Sequence, residues 1–306
     1  MAKTIGVIVS DRILCGVVID HELQGTPVAY PVDTDDEGAL VELHTDLLVE
    51  TICEQVRKVA AGANDVSAIG VALPGLIRNG VVEESPNLPQ LKGARIAELL
   101  QIQLRSHGMK APVTVLNDAD GVAAGLAAAH GKLDSIIRVW TLGVGIGYGR
   151  YPFAPGVWEG GHSVVTLDDK ERFCGCGGFG HMEGIMGHRA MRLRFLDMEP
   201  EEVFEAANTM LPNGQPSDQR CLDFKRLWHK ALAAATATSI HQDGAGKFFL
   251  TGFNARFVDL PMLRDYIQQM VKMSPLQSYS VELVKDEPPA RLVGAAITAE
   301  RAAGLQ

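Results

Sequence analysis

Short β-branched runs open the chain and give way to apolar residues at helical spacing. Ile5 to Val9 and Leu14 to Ile19 flank the polar Ser10-Asp11-Arg12, which predicts a hairpin. Leu40 to Ala60 has the apolar periodicity of a helix, and Val66 to Leu73 is a continuous apolar run ending at Pro74-Gly75, as a buried strand closed by a turn would be. Ile96 to Leu104 is amphipathic, Val113 to Leu116 predicts a strand, and Asp120 to His130 predicts an Ala-rich helix just past Asn117-Asp118. A second set opens with the strand Ile136 to Leu142, turns through Gly143-Val-Gly-Ile-Gly-Tyr-Gly149, and resumes at Phe248 to Thr251 before a closing helix near Arg291 to Ala303. Asn208 to Gln219 is polar and reads as a surface loop. Alternating strands and helices predict an α/β protein of two units.

Composition narrows the function classes. With 306 residues and 46% hydrophobic side chains the chain can bury real cores. Its net charge of -9, without a Lys/Arg cluster, argues against a nucleic-acid partner. No apolar run approaches membrane-spanning length, and the N-terminus shows no charged, apolar and cleavable segments in succession; the expectation is a cytoplasmic protein with reduced thiols.

The densest chemistry lies between His162 and Glu183. His162, Cys174, Cys176 and His181 are four donors of the kind that hold Zn²⁺ in a closed tetrahedral site, one that shapes a loop and leaves no position for a reactive water. The other reading is a Gly-rich turn with free thiols. A disulfide fits less well, since cysteines one residue apart rarely meet its geometry and Cys15, Cys53 and Cys221 are scattered. Glu159 and Glu183 flank the cluster, so one metal would organise both; with Asn87 they could bind sugar hydroxyls, or the glutamates are solvated and Asn87 closes a turn beside Pro86.

Asn117-Asp118 falls where a strand ends and a helix begins. Open α/β sheets present ligand-binding groups there, and Asp118 could accept a proton from an attacking hydroxyl or merely cap the helix. The alternate glycines 143, 145, 147 and 149 could wrap a phosphate or form a tight strand turn; they match neither the dinucleotide fingerprint nor the Walker A pattern.

Together these residues resemble the ROK family of sugar kinases and sugar-responsive repressors. Glu159-Gly-Gly-His162 and Cys174-Gly-Cys176-Gly-Gly-Phe-Gly-His181-Met-Glu183 are similar to the family's Glu-x-Gly-His and Cys-x-Cys-Gly-x-x-Gly-Cys-x-Glu, with His181 in place of a cysteine. The resemblance implies a two-lobed actin-like ATPase (ribonuclease H-like) fold with an interdomain cleft. Residues 1–116 plus a closing helix at about 290–306 would form one lobe, and 117–289 the other. It implies a hexose contacted by Gly75, Asn87, Asn117, Glu159, His162 and Glu183, with Asp118 as general base. ATP and Mg²⁺ would meet Thr141, Gly143, Gly145, Gly147 and Gly252, zinc would be structural, and the assembly would be a homodimer. A repressor is not expected, because family repressors carry an added N-terminal winged helix.

The nucleotide side departs from that pattern. Where family kinases read Asp-x-Gly-Gly-Thr, the chain has Ile8-Val9-Ser10-Asp11-Arg12; Val144, Tyr148 and Phe253 also replace family residues. Two functions follow: an ATP-dependent, glucokinase-like hexose kinase, and a sugar-binding sensor or partner protein that kept the sugar and zinc sites without catalysis.

Overall fold

The computed structural model describes residues 2–32, 38–61, 65–153, 159–285 and 287–305. In chain order the elements are β1 (Lys3–Val9), β2 (Ile13–Ile19), β3 (Glu22–Tyr30), α1 (Thr45–Ala60), β4 (Val66–Leu73), β5 (Leu76–Arg78), β6 (Val81–Glu84), α2 (Ile96–Ser106), β7 (Val113–Asn117) and α3 (Asp118–Ala129). They continue as β8 (Ile137–Leu142), β9 (Ile146–Tyr151), α4 (Met182–Met186), α5 (His188–Arg194), α6 (Pro200–Asn208), α7 (Gln219–Asp243), β10 (Lys247–Thr251), α8 (Leu260–Met270), β11 (Ser280–Leu283) and α9 (Pro288–Ala302).

The chain divides into two compact units, one of Met1–Ile137, Gly149–Val157 and Asp286–Gln306, the other of Arg138–Tyr148 and Trp158–Lys285. The first is built on a sheet of order β3-β2-β1-β4-β7, antiparallel from β1 to β3 and parallel through β1, β4 and β7. Strand alternation sends Ile5, Val7 and Val9 into a core with Leu48, Ile52 and Val56 of α1 and Leu100 and Leu104 of α2. The opposite face of β1 meets α9, where the hydroxyl of Thr4 donates to Glu300 Oε1 at 2.7 Å.

Helix α9 approaches so closely that side chains are excluded. A Cβ at Gly70 would lie 1.9 Å from the carbonyl oxygen of Ala295, and one at Gly294 would lie 1.8 Å from that of Gly121 in α3. These obstacles are backbone atoms and cannot rotate away. Gly294→Ala is therefore expected to lower stability by about 3 kcal/mol, the upper part of the overpacking range, read as a lower urea midpoint at unchanged m.

The second unit carries a sheet of order β11-β10-β8-β9. Trp140, Trp228, Phe204 and Phe248 fill its core. Arg138, on β8, is fully buried, donates to the carbonyl oxygens of Ser239 at 2.9 Å and Gly244 at 2.6 Å, and lies 4.3 Å over the Phe248 ring. No described helix is long and apolar enough to cross a membrane.

Several expected elements shift. The helix foreseen from Leu40 starts at Thr45; Leu40 is buried from a turn, its carbonyl accepting from Gln90 Nε2 at 2.7 Å, so its apolarity serves the core and not a helical face. Strand β3 lacks a period-2 signal because it is a largely exposed edge. The glycine run from 143 to 149 is a hairpin turn followed by β9. A division at residue 117 was expected, yet α3 counts with the first unit, because it packs against α9.

Candidate active site and metal cluster

His162, Cys174, Cys176 and His181 converge, one donor atom of each lying within 4.8 Å of the others. Cys174 Sγ is 3.4 Å from Cys176 Sγ and 3.6 Å from His162 Nδ1; His181 Nδ1 is 3.2 Å from Cys176 Sγ and 3.4 Å from His162 Nδ1. Zinc bonds of about 2.3 Å to sulfur and about 2.0–2.1 Å to nitrogen put the donors of a tetrahedral site roughly 3.3–3.8 Å apart. The residues therefore fit the ion. Gly180, at φ +70°, makes the turn that returns His181 to the cluster, and a Cβ there would strike the Thr166 carbonyl oxygen at 2.1 Å.

Both flanking carboxylates touch the cluster. Glu183 Oε1 is 3.5 Å from Cys174 Sγ, and its Oε2 accepts from the Ile146 N–H at 3.0 Å. Glu159 Oε2 lies 3.9 Å from His162 Nε2, the ring nitrogen turned away from the cluster. A carboxylate on the far side of a ligating histidine orients the ring and raises its basicity. Gly145 has a local reason to be glycine, since its Cβ would sit 2.5 Å from Glu183 Oε2.

In the first unit, β7 delivers Asn117 and Asp118 to the start of α3. The cap belongs to Asn117, whose Oδ1 accepts from the Ala119 N–H at 2.8 Å while its Nδ2 donates to the Gly75 carbonyl oxygen at 2.8 Å. Asp118 is the first residue of the helix itself. It is half-buried, and its Oδ1 shares the same Ala119 N–H at 2.9 Å. Burial raises its pKa, opposed first by the positive charge of Arg291. Its neighbour Asp120, almost fully buried, is pushed up to about 7 by burial, with the Arg150 N–H held on Oδ1 at 2.9 Å.

Gly75 stands at φ +118° with the Glu84 carbonyl oxygen 2.3 Å from where a Cβ would be. Ser85 ties this turn to that of Asn87, donating to the Pro74 carbonyl oxygen at 2.7 Å and accepting from the Leu88 N–H at 3.3 Å. Asn87 is exposed beside them.

Thr141, Gly143, Gly145 and Gly147 lie on β8, β9 and the turn between them. Gly252, at φ +92°, is seated against Leu142. Asn254 Nδ2 donates to the Gly143 carbonyl oxygen at 2.9 Å, which binds the two glycine segments together. Phe253 is exposed and meets His188 edge-on at 5.2 Å between centroids. Nearby is a cavity of about 770 Å³ lined by Val144, His188, Arg189, Arg192 and Leu196 among others.

The residue missed in the sequence is Arg291. It lies just inside α9, is partly buried, and carries the fields of both Asp118 and Asp11. Sequence spacing offers no signal for it, because Asp11, Asp118 and Arg291 come together only through the packing of α9 on β1 and α3. The cysteines outside the cluster, Cys15, Cys53 and Cys221, are buried free thiols.

Comparisons with known proteins agree on one family. The ROK family is matched over residues 41–302. A glucokinase of Pyrobaculum calidifontis is 28% identical over 220 residues, which cover 66% of this chain and 68% of that protein. Among solved structures, a ROK hexokinase from Thermus thermophilus superposes with a TM-score of 0.77 at 21% identity, covering 99% of this chain and 100% of the other. A ROK family glucokinase from Streptomyces griseus, in complex with glucose and AMPPNP, gives 0.66 at 23% identity, with 98% and 100% covered. At these identities the structures establish the shared two-lobed, actin-like ATPase fold.

Proposed function

The chain belongs to the ROK family, and from that premise we propose that it is a sugar kinase transferring the terminal phosphate of ATP to a hydroxyl of a glucose-like hexose. The observation that carries this reading is the division of labour at the head of α3. Asn117 caps the helix and Asp118 is left half-buried, its pKa raised toward the range of a working base. Asp118 would take the hydroxyl proton as the sugar oxygen attacks phosphorus.

The sugar would be contacted by Gly75, Asn87, Asn117, Glu159, His162 and Glu183, the residues that the family resemblance implies. Zinc, held by His162, Cys174, Cys176 and His181, would fix the segments that carry the two glutamates, Glu159 beside His162 and Glu183 in the first turn of α4. Mg²⁺ bound with ATP would neutralise charge on the phosphates. The nucleotide would approach Thr141, Gly143, Gly145, Gly147 and Gly252, beside a cavity whose wall mixes apolar Val144 and Leu196 with Arg189, Arg192, Glu199 and Glu202. The reading includes a cytoplasmic homodimer.

One observation favours the sensor. Ile8 is 2% exposed at the end of β1, so no carboxylate stands there to help hold a metal. Calorimetry with glucose and with ATP separately, each with and without Mg²⁺, distinguishes the two functions. The expected result is hexose binding, weaker ATP binding that requires Mg²⁺, and glucose-dependent ADP release. Hexose binding with no ATP binding under either condition would make the protein a sensor.

A further inference from the structure

Phosphoryl transfer depends on positive charge placed around the phosphates, and the first unit supplies it from an unexpected element. Ile8 and Gly6 share the face of β1 that meets α9, by strand alternation. A Cβ at Gly6 would lie 2.0 Å from the Leu292 carbonyl oxygen, so α9 crosses β1 at that pair. Arg291 is the α9 residue one step toward its N-terminus. On the α3 side, a Cβ at Gly121 would be 3.9 Å from the Arg291 carbonyl oxygen, one turn into the helix that Asp118 begins. Arg291 thus stands where the end of β1, the β1–β2 turn and the head of α3 meet.

We propose that Arg291 is the cation that the first unit offers to the transferring phosphate, in the place that Ile8 leaves without a metal-holding carboxylate, and that it rests between Asp118 and Asp11 when no phosphate is bound. The proposal rests on the kinase reading. In the step it assists, a lone pair of the sugar hydroxyl oxygen forms the new O–P bond. The bond from the terminal phosphorus to its bridging oxygen breaks, with its electron pair leaving on ADP, and the hydroxyl proton passes to Asp118. The guanidinium binds the equatorial oxygens, where negative charge is spread.

Three features support the assignment. Arg291 is partly withdrawn from water, and desolvation lowers its pKa while Asp118 and Asp11 raise it, so its charge is balanced by two carboxylates that a phosphate can replace. Arg12, in the β1–β2 turn, has a buried Nε with no hydrogen-bond acceptor among the described residues, a second donor at the same turn. Asp11 is exposed, so water can take the place of Arg291 beside it at little cost, while the Ser10 hydroxyl, which donates to its Oδ1 at 2.6 Å, holds it in the turn.

The charges that bear on Asp118 are Arg291 from α9 and Asp120 from its own helix; Asp11 acts on it through Arg291, and Arg150 on β9 acts through Asp120. Removing Arg291 raises the Asp118 pKa further, so the acid limb of kcat/KM moves to higher pH.

The test compares wild type with Arg291→Ala and Arg291→Lys in full-length protein, by calorimetry with inorganic tripolyphosphate and by ATP-dependent phosphorylation of glucose across pH. Arg291→Ala is expected to weaken tripolyphosphate binding at least about tenfold, cut kcat/KM for ATP by about 10²-fold and shift the acid limb upward, with glucose affinity unchanged. Arg291→Lys should fall between, which shows that charge rather than packing is at issue. Wild-type tripolyphosphate affinity and an unmoved acid limb in Arg291→Ala would overturn the proposal, as would a wild type that does not bind tripolyphosphate. If wild type phosphorylates no hexose yet binds tripolyphosphate through Arg291, the anion site stands and the kinase reading falls.

Discussion

Asp118→Asn is expected to reduce kcat for hexose phosphorylation by about 10²–10⁴-fold, the contribution of a positioned general base, with hexose affinity within a few-fold of wild type. The substitution is nearly isosteric. Its amide keeps an oxygen to accept from the Ala119 N–H, and the helix start is preserved because Asn117 supplies the cap. What disappears is the ability to take a proton. Burial holds the Asp118 pKa above that of an ordinary carboxylate, so in wild type the rate should rise with pH through that raised value as the base becomes ionised. The variant should lose this acid limb along with the rate. Steady-state kinetics of both proteins over a pH series, with glucose affinity measured by calorimetry, checks both parts; a variant turning over at the wild-type rate would remove Asp118 from the mechanism.

The same residue shows why some of the site was legible in the sequence and some was not. Asn117-Asp118 could be placed at a strand-to-helix junction because both elements are periodic, but which residue capped the helix depended on side-chain direction. The structure gives the cap to Asn117 through bonds to Ala119 and Gly75, the latter 42 positions earlier in the chain. The convergence of His162, Cys174, Cys176 and His181, a candidate metal cluster, was legible because the four lie within one short stretch of chain, so local spacing carries the geometry. Arg291 was not, since its partners Asp11 and Asp118 arrive from the β1–β2 turn and the head of α3. Among the fold elements, β1, β4 and β7 announced themselves as apolar runs; the exposed edge β3 and the amphipathic α8 did not stand out. Gly145 was ambiguous for a different reason. A glycine fitted to a neighbouring carboxylate looks the same in sequence as one fitted to a phosphate, and here the neighbour is Glu183.

Cys174→Ser or Cys176→Ser is expected to reduce bound zinc from about one per chain to a small fraction and to weaken hexose binding by at least about tenfold. Electrostatics acts here as well as geometry. Two cysteine sulfurs lie 3.4 Å apart with Glu183 Oε1 3.5 Å from one of them, so ionised thiolates would crowd a carboxylate unless a dication sits among them. Without the ion the thiols protonate and the histidines lose their common centre. Glu183, placed by the cluster and by the Ile146 N–H, then loses one of its anchors. Glu159 loses the fixed imidazole it faces at 3.9 Å. None of the four donors belongs to the core around Trp140 and Trp228, so the far-UV signal and most of the thermal stability should survive, leaving the sugar site selectively impaired. Elemental analysis for zinc, glucose calorimetry and a thermal melt of the same preparations check the three parts together. A metal-free variant that binds glucose as tightly as wild type would show that the glutamates do not depend on the cluster for their position.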